Sequence, residues 1–250
     1  MATVSSRAKV RRRRNIPHTL ANYSTVAPLA RPVESGIGLR ERLGESELRR
    51  RFWHMAPGTL PLILWEVNHG DPISPLLKTI FIVTIGLLGG LIFVFFRLIA
   101  REGEQVDRAG AVLGYACSVL ATLFLFPHQA ELGLTVLAVL SFGDGSATLF
   151  GKLFRGRKLP WNPQKTWTGL AAFIVVGSTW ATAIYWGETY FNAYTEDPPP
   201  GLLTAIVCGT TATVLAAMAE SVKSRINDNI RVGVTAAVGV VAAHAMIVGF

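Results

Sequence analysis

Leu137-Ala-Val-Leu-Ser-Phe-Gly-Asp-Gly-Ser-Ala-Thr-Leu-Phe-Gly151 is an apolar stretch with a single carboxylate, Asp144, close to its middle. A segment of this composition reads as part of a helix in hydrocarbon. An ionised side chain at the centre of such a helix costs about 2.5–3.5 kcal/mol on translocon-derived scales. Asp144 should therefore face the interior of a bundle and meet a cation, a metal or a water-filled pocket. Gly143, Ala147 and Gly151 recur every four residues, giving the helix a smooth face on which a neighbour or a ligand can approach. Two readings follow: a functional carboxylate, or a packing face whose Asp is neutralised by a nearby Lys.

The rest of the chain agrees with a bilayer. Of 250 residues, 50% are hydrophobic and only 16% charged, against about 25% charged in soluble domains. Twelve of the 24 Lys and Arg fall within the first 51 residues. Residues 1–48 read as a basic, disordered cytoplasmic tail suited to anionic lipid, and residues 49–250 as a transmembrane catalytic domain. Arg11 to Arg14 lead into a polar stretch, which is not the pattern of a signal peptide. Apolar runs at Phe52–Val67, Leu76–Ala100, Ala109–Phe126, Leu132–Gly151, Trp167–Tyr190, Leu202–Ser221 and Val232–Phe250 predict an all-α, polytopic transmembrane helix bundle of about seven spans. Most approach the roughly 20 residues that a crossing needs. The first is short and interrupted by Pro57 and Pro61, which predicts a kinked or partly inserted helix. Cys117 and Cys208 lie in apolar runs and support neither a disulfide framework nor a zinc site.

Charge tests the count. With the N-terminus cytoplasmic, the inner connections are the tail, Arg101–Arg108, Lys152–Lys165 and Lys223–Arg231. The outer ones are Asn68–Pro75, Pro127–Glu131 and Phe191–Gly201. Nearly every Lys and Arg then lies inside, Lys78 being the clear exception, as the positive-inside rule expects. Omitting the first span would put three basic loops outside.

The connection after Asp144, Lys152-Leu-Phe-Arg-Gly-Arg-Lys-Leu-Pro-Trp-Asn-Pro-Gln-Lys-Thr-Trp-Thr-Gly169, carries five cations and no acid. Gly151 and Gly156 free its backbone, Pro160 and Pro163 stiffen it, and Lys165-Thr166 opens the next helix. A helix N-terminus beside Lys and a hydroxyl suits an anion, and five cations could neutralise a nucleotide triphosphate. The P-loop pattern is absent. The alternative is a positive-inside loop attracted to anionic headgroups. The sixth span ends in Glu220, followed by Asn227-Asp228-Asn229. Carboxylates beside a cationic loop suggest Mg²⁺ with phosphates, since Mg²⁺ takes few carboxylates, several waters and substrate oxygens. The alternative is that Lys223 and Arg225 pair with Glu220 and Asp228. Arg49-Arg-Arg-Phe-Trp-His54 reads as an interfacial anchor, with the role of His54 left open.

Asp144-Gly-Ser-Ala147 with Gly151, Gly156, Pro160, Lys165-Thr166 and Gly169 resembles the D-x-x-A-x3-G…G…P…K-T-x-x-G block of an intramembrane CTP-using superfamily. That superfamily holds the dolichol, phytol and yeast-type diacylglycerol kinases and the phosphatidate cytidylyltransferases. Arg50-Arg51-Phe-Trp-His54 is similar to the kinase branch's R-K-x-x-H, and Glu220 with Asn227-Asp228-Asn229 to its E…D-D-N. The P-G-H-G-G and L-D-R-x-D-S block of the cytidylyltransferases is absent. Asn227 replaces the first acid of D-D-N, and Arg51 replaces the usual Lys, which keeps charge but changes donor geometry.

The resemblance implies a lipid kinase that moves the γ-phosphoryl of CTP to a membrane alcohol, with Mg²⁺ as cofactor and no nucleic-acid partner. In that scheme Asp144, Lys165, Glu220 and Asp228 are catalytic. Asp144, Glu220 and Asp228 ligate the metal, and Lys152, Gly156, Pro160, Thr166, Gly169 and Asn229 bind CTP. The active face would be cytoplasmic, in the inner membrane if the source is bacterial. The sister reaction, making CDP-lipid from phosphatidate, is the alternative. A transporter using Asp144 and Glu220 as a relay is a third reading, although carriers more naturally show broken helices at the midplane and paired repeats.

Overall fold

The computed structural model describes residues 43–67, 69–94, 108–192 and 199–250, all within the larger of two compact units, Ile37–Phe250. Expectations for the remainder of the N-terminal tail, for Arg101–Asp107 and for most of the connection after Phe191 lie outside the described residues. The described chain is mostly helical, with four helices long and apolar enough to cross a membrane: Ala130–Leu153, Trp167–Phe191, Leu202–Ser221 and Asp228–Ile247.

In chain order, α1 is Glu45–Met55, followed by a 3₁₀ turn over Ala56–Thr59 and the short α2, Leu60–Leu64. Pro57 and Pro61 sit at the starts of the latter two pieces, where a missing N–H costs least, so the predicted kink is present. His54 at the end of α1 reaches Leu140, and Trp65 just after α2 reaches Glu188. Glu47 near the start of α1 meets Lys152 at the end of Ala130–Leu153, so the broken segment from Glu47 to Trp65 runs along the bundle toward Glu188. Helix α1 begins at Glu45, so Glu45–Leu48 belong to the folded unit and not to the tail; Glu45 and Glu47 lie in its first turn, where the helix dipole favours acids.

Helices α3 (Pro75–Val94) and α4 (Arg108–Leu125) lead into α5, Ala130–Leu153, with α6 (Trp167–Phe191), α7 (Leu202–Ser221) and α8 (Asp228–Ile247) around it. Helix α5 is the axis: Leu132, Val136, Val139 and Leu140 are fully buried. Its hydrogen bonding changes to π-type over Val139–Asp144, a local widening that recurs at functional sites. The smooth face predicted from Gly143, Ala147 and Gly151 meets a neighbouring helix. Phe173 lies over Gly143, and a Cβ on Gly169 would come within 2.7 Å of the Ala147 carbonyl oxygen. Small residues likewise let α7 and α8 meet backbone to backbone, and a Cβ on Gly239 would come within 2.9 Å of the Ala212 Cα, as in membrane bundles generally.

The basic connection after α5 is a β-hairpin, with β1 (Lys158–Leu159) antiparallel to β2 (Asn162–Thr166) around Pro160-Trp161. Its side chains are divided between bundle and solvent: Leu159, Asn162 and Thr166 are buried, and Lys158, Trp161, Pro163 and Gln164 exposed.

Candidate functional site

The cations and acids at the Asp144 end of the bundle come from five elements: α1, α5, β2, α7 and α8. The π segment turns Asp144, 8% exposed, toward α1, where His54 Nε2 lies 3.0 Å from Asp144 Oδ2 and 3.0 Å from the Leu140 carbonyl oxygen. The Tyr115 hydroxyl, from α4, is hydrogen-bonded to the Ser141 hydroxyl and donates to the His54 carbonyl at 3.3 Å. These contacts tie the end of α1 to the widened turn.

Glu47, buried on α1, gathers three cations: Arg50 at 2.9 Å, Arg51 at 3.2 Å and Lys152 at 3.0 Å. Burial pulls the Arg51 guanidinium below its usual range, against the opposing pull of Asp144 and Glu47. Lys152 on α5 is therefore held by an acid of α1.

Lys165 lies on β2 between α7 and α8. It forms an ion pair with Glu220 and a second, at 3.4 Å, with Asp228. Burial pushes its ammonium down, but the carboxylates of Glu220, Asp144 and Asp228 outweigh this and its pKa lies above the ordinary lysine value. Asp228 is also paired with Arg231, whose guanidinium caps α7 by donating to the carbonyls of Ala219 (2.6 Å) and Val222 (2.8 Å). The neighbouring cations Lys223 and Arg225 form no ion pair with Glu220 or Asp228 among the described residues. Two buried guanidinium nitrogens, Arg50 Nε and Arg231 Nε, have no hydrogen-bond partner among the described residues.

The remaining sequence-selected residues are mostly architectural in their contacts. Thr166 is the N-cap of α6, its hydroxyl accepting the Gly169 N–H at 3.1 Å, so that backbone donor is already in use. Gly156 lies against Thr168, where a Cβ would collide. Pro160 is the exposed hairpin turn. Asn227 caps α8 by accepting the Asn229 N–H at 3.0 Å. Asp144, Glu220 and Asp228 do not form a single metal cage: among the described residues no group of three His, Cys, Asp or Glu is close enough to hold an ion. Among the described residues, Asp144 Oδ1 and Glu220 Oε2 have no ion-pair partner, the other two oxygens being taken by His54 and Lys165. That donor set fits a Mg²⁺ delivered with nucleotide phosphates and not a preformed site.

Glu47, Tyr115 and Ser141 were not among the residues singled out in the sequence. The spacing of Glu47 to Arg50 and Arg51 (three and four residues) is a readable helix signal; nothing in the sequence pairs Tyr115 with Ser141.

The opposite end of the bundle holds a second polar group. Glu188, fully buried, is 2.8 Å from His69 Nε2 and accepts the Trp65 indole N–H at 3.1 Å. The hydrogen bond to Glu188 raises the His69 pKa, overcoming the opposing effect of burial. Nearby, Asp71 accepts from Asn192 at 2.8 Å.

Comparison with known proteins adds independent weight. The chain is 29% identical over 143 residues to a probable phytol kinase 1, chloroplastic, of Oryza sativa subsp. japonica, covering 54% of this chain and 46% of that protein. It is 23% identical over 195 residues to phytol kinase 1, chloroplastic, of Arabidopsis thaliana (75% and 64%) and 23% over 202 residues to farnesol kinase, chloroplastic, of the same plant (77% and 64%). The chain thus spans from about half to just under two thirds of the length of these curated relatives. No family model and no solved structure matches. These relatives are kinases, so the similarity agrees with the kinase branch of the resemblance and does not favour the cytidylyltransferase. Their chloroplast names give no support to a bacterial inner membrane.

Proposed function

We propose that this protein is a membrane-embedded lipid kinase that transfers the γ-phosphoryl group of CTP to the hydroxyl of a long-chain alcohol of the phytol or farnesol type. The observation that carries the reading is Lys165, held between Glu220 and Asp228 and within electrostatic reach of Asp144. Phosphoryl transfer asks for positioning and charge neutralisation more than for covalent chemistry, and this end of the bundle supplies both.

Lys165 and Lys152 bind the triphosphate; each ammonium has three donors, so a phosphate contact does not require release of Glu220 or Glu47. Thr166 and Gly169 act by fixing β2 against α6, which sets the height of Lys165. Asp144, oriented by His54, receives the alcohol hydroxyl, whose chain lies in the bilayer beside α1 and α5. Mg²⁺ bound with the nucleotide, on Asp144 Oδ1 and Glu220 Oε2, would offset phosphate charge. Asp228 keeps Lys165 and Arg231 in place.

The proposal includes seven crossings with the Asp144 end cytoplasmic. Support comes from the course of the broken first segment, from Glu47 beside Lys152 to Trp65 beside Glu188, and from the clustering of Lys152–Lys165 and Lys223–Arg231 at the Asp144 end, in keeping with the positive-inside rule.

Purified protein is incubated with γ-labelled CTP, Mg²⁺ and a panel of phytol, farnesol, polyprenol and diacylglycerol. Label in the organic phase is the expected result. Absence of lipid label with every alcohol, together with pyrophosphate release when phosphatidate is supplied, would transfer the reading to the cytidylyltransferase.

A further inference from the structure

The hairpin divides its cations into two sets. Lys152, at the end of α5 before it, and Lys165, on β2, pair with Glu47 and with Glu220 and Asp228. Arg155, Arg157 and Lys158 are exposed and, among the described residues, have no acidic partner. Three large aromatic side chains lie along the same stretch: Phe154, Trp161 and Trp167 are 62%, 50% and 45% exposed, and the two indoles meet edge to face at 5.5 Å. An inorganic anion needs no aromatic rings beside it, and one nucleotide base would stack on at most one or two of the three. Trp and cations side by side are what the water–bilayer boundary selects.

The hairpin is also held at the right height. Trp161 Nε1 donates to the Ser221 hydroxyl at 3.2 Å and Asn162 Nδ2 to the Ser221 carbonyl at 3.0 Å. Ser221 is the last residue of α7, an apolar helix long enough to cross. Buried Leu159 fixes the first strand against the bundle. The rings therefore sit level with the end of an apolar helix, and the free guanidinium and ammonium groups sit beside them.

We propose that the outer edge of this hairpin, Phe154 to Lys158 with Trp161 and Trp167, docks on the headgroups of anionic phospholipids. Arg155, Arg157 and Lys158 bind the phosphate and headgroup charge, while the rings enter the interface. Because β2 also carries Lys165, headgroup docking and the inner ion pairs share one strand. The docking itself does not depend on the kinase reading.

The test uses the full chain in bilayers of phosphatidylcholine to which either phosphatidylglycerol or phosphatidylcholine, brominated near the headgroup end of the acyl chains, is added. Quenching of the hairpin indoles is obtained by difference from Trp161→Phe and Trp167→Phe variants, made singly so that loss of the Trp161–Ser221 hydrogen bond affects only one. Brominated phosphatidylglycerol should quench the hairpin component selectively. Replacing Arg155, Arg157 and Lys158 by Gln should raise the anionic lipid needed for half-quenching by about fivefold per cation removed, with helical content unchanged. Equal quenching by both lipids, no quenching by either, or selectivity that survives the three Gln replacements would each overturn the proposal. No outcome depends on kinase activity, so failure here and failure of the kinase assay are separable.

Discussion

Lys165→Met removes the cation that faces Glu220, and its cost can be worked from the structure. Glu220 is 3% exposed and paired with Lys165, and Lys165 itself is a quarter exposed at its side chain. Deleting one partner of a buried ion pair costs about 3–5 kcal/mol because a charge is left unpaired. Partial exposure of Lys165 lets water reach the remaining carboxylate, so about 2–3 kcal/mol is expected here. For a chain of this size that corresponds to a Tm lower by roughly 4–12 °C. Glu220→Gln alone leaves Lys165 with Asp228 at 3.4 Å and should cost less, about 1 kcal/mol. The double variant removes both charges and should recover most of the loss, giving an interaction energy of at least about 1 kcal/mol. The assay is thermal unfolding in lipid nanodiscs at one fixed scan rate, with labelled-CTP turnover measured beside it. Stability should return in the double variant while lipid phosphorylation stays absent. Additive losses, within about 0.5 kcal/mol, would refute the ion pair as the element that holds β2 to α7. Phosphorylation restored in the double variant would refute Lys165 as a phosphate ligand.

Three further outcomes follow from the same geometry. His69 gains a proton-stabilising partner in Glu188 and its folded pKa is raised, so its contribution is fully present below the unfolded value of about 6.5 and is lost as pH rises through the folded value. The Tm gap between wild type and His69→Gln should therefore be largest near about pH 6 and shrink toward about pH 9; a gap that widens with pH would contradict the assignment. Gly169→Ala would bring a Cβ to 2.7 Å of the Ala147 carbonyl oxygen and should destabilise by about 1–3 kcal/mol, whereas Gly201→Ala, with nothing within 4 Å, serves as the near-neutral control in the same melts. Arg155 sits at φ +46°, a left-handed position where a side chain costs about 1–2 kcal/mol, so Arg155→Gly should raise stability by about 1 kcal/mol, read from the shift in unfolding midpoint.

The helices were legible because apolar length is a one-dimensional property. Leu202–Ser221 has the bounds expected from sequence, and the fourth and fifth runs differ from Ala130–Leu153 and Trp167–Phe191 by one or two residues at an end. The last helix starts at Asp228 and not at Val232, because Asn227 caps it and polar residues continue the helix beyond its apolar run. The hairpin was not legible: with Pro160, Pro163 and five cations the stretch reads as loop, and its strands are specified by contacts with Ser221, 60 residues away. Asp144, Lys165, Glu220 and Asp228 could be chosen as charges out of place in apolar surroundings, but not their partners. His54 and Glu47 lie about 90 residues or more from the groups on α5 that they meet, and the π turn that aims Asp144 leaves no pattern in the sequence.

Asn227 shows how a departure from a family pattern is settled by local physics. If this position served to ligate a metal, exchange of its acid for Asn would remove a ligand. Instead its side-chain oxygen accepts the Asn229 N–H and starts α8, and Asn and Asp are equally good in that role. What the site needs from the turn is that α8 begin at Asp228, so that the Asp228 carboxylate meets Lys165 and Arg231 together. Asn227→Ala should then cost about 0.5–2 kcal/mol through the lost cap and loosen Lys165 indirectly. Asn227→Asp should keep both stability and turnover, with no gain in metal affinity. A rise in Mg²⁺ affinity on that exchange would return the position to the metal.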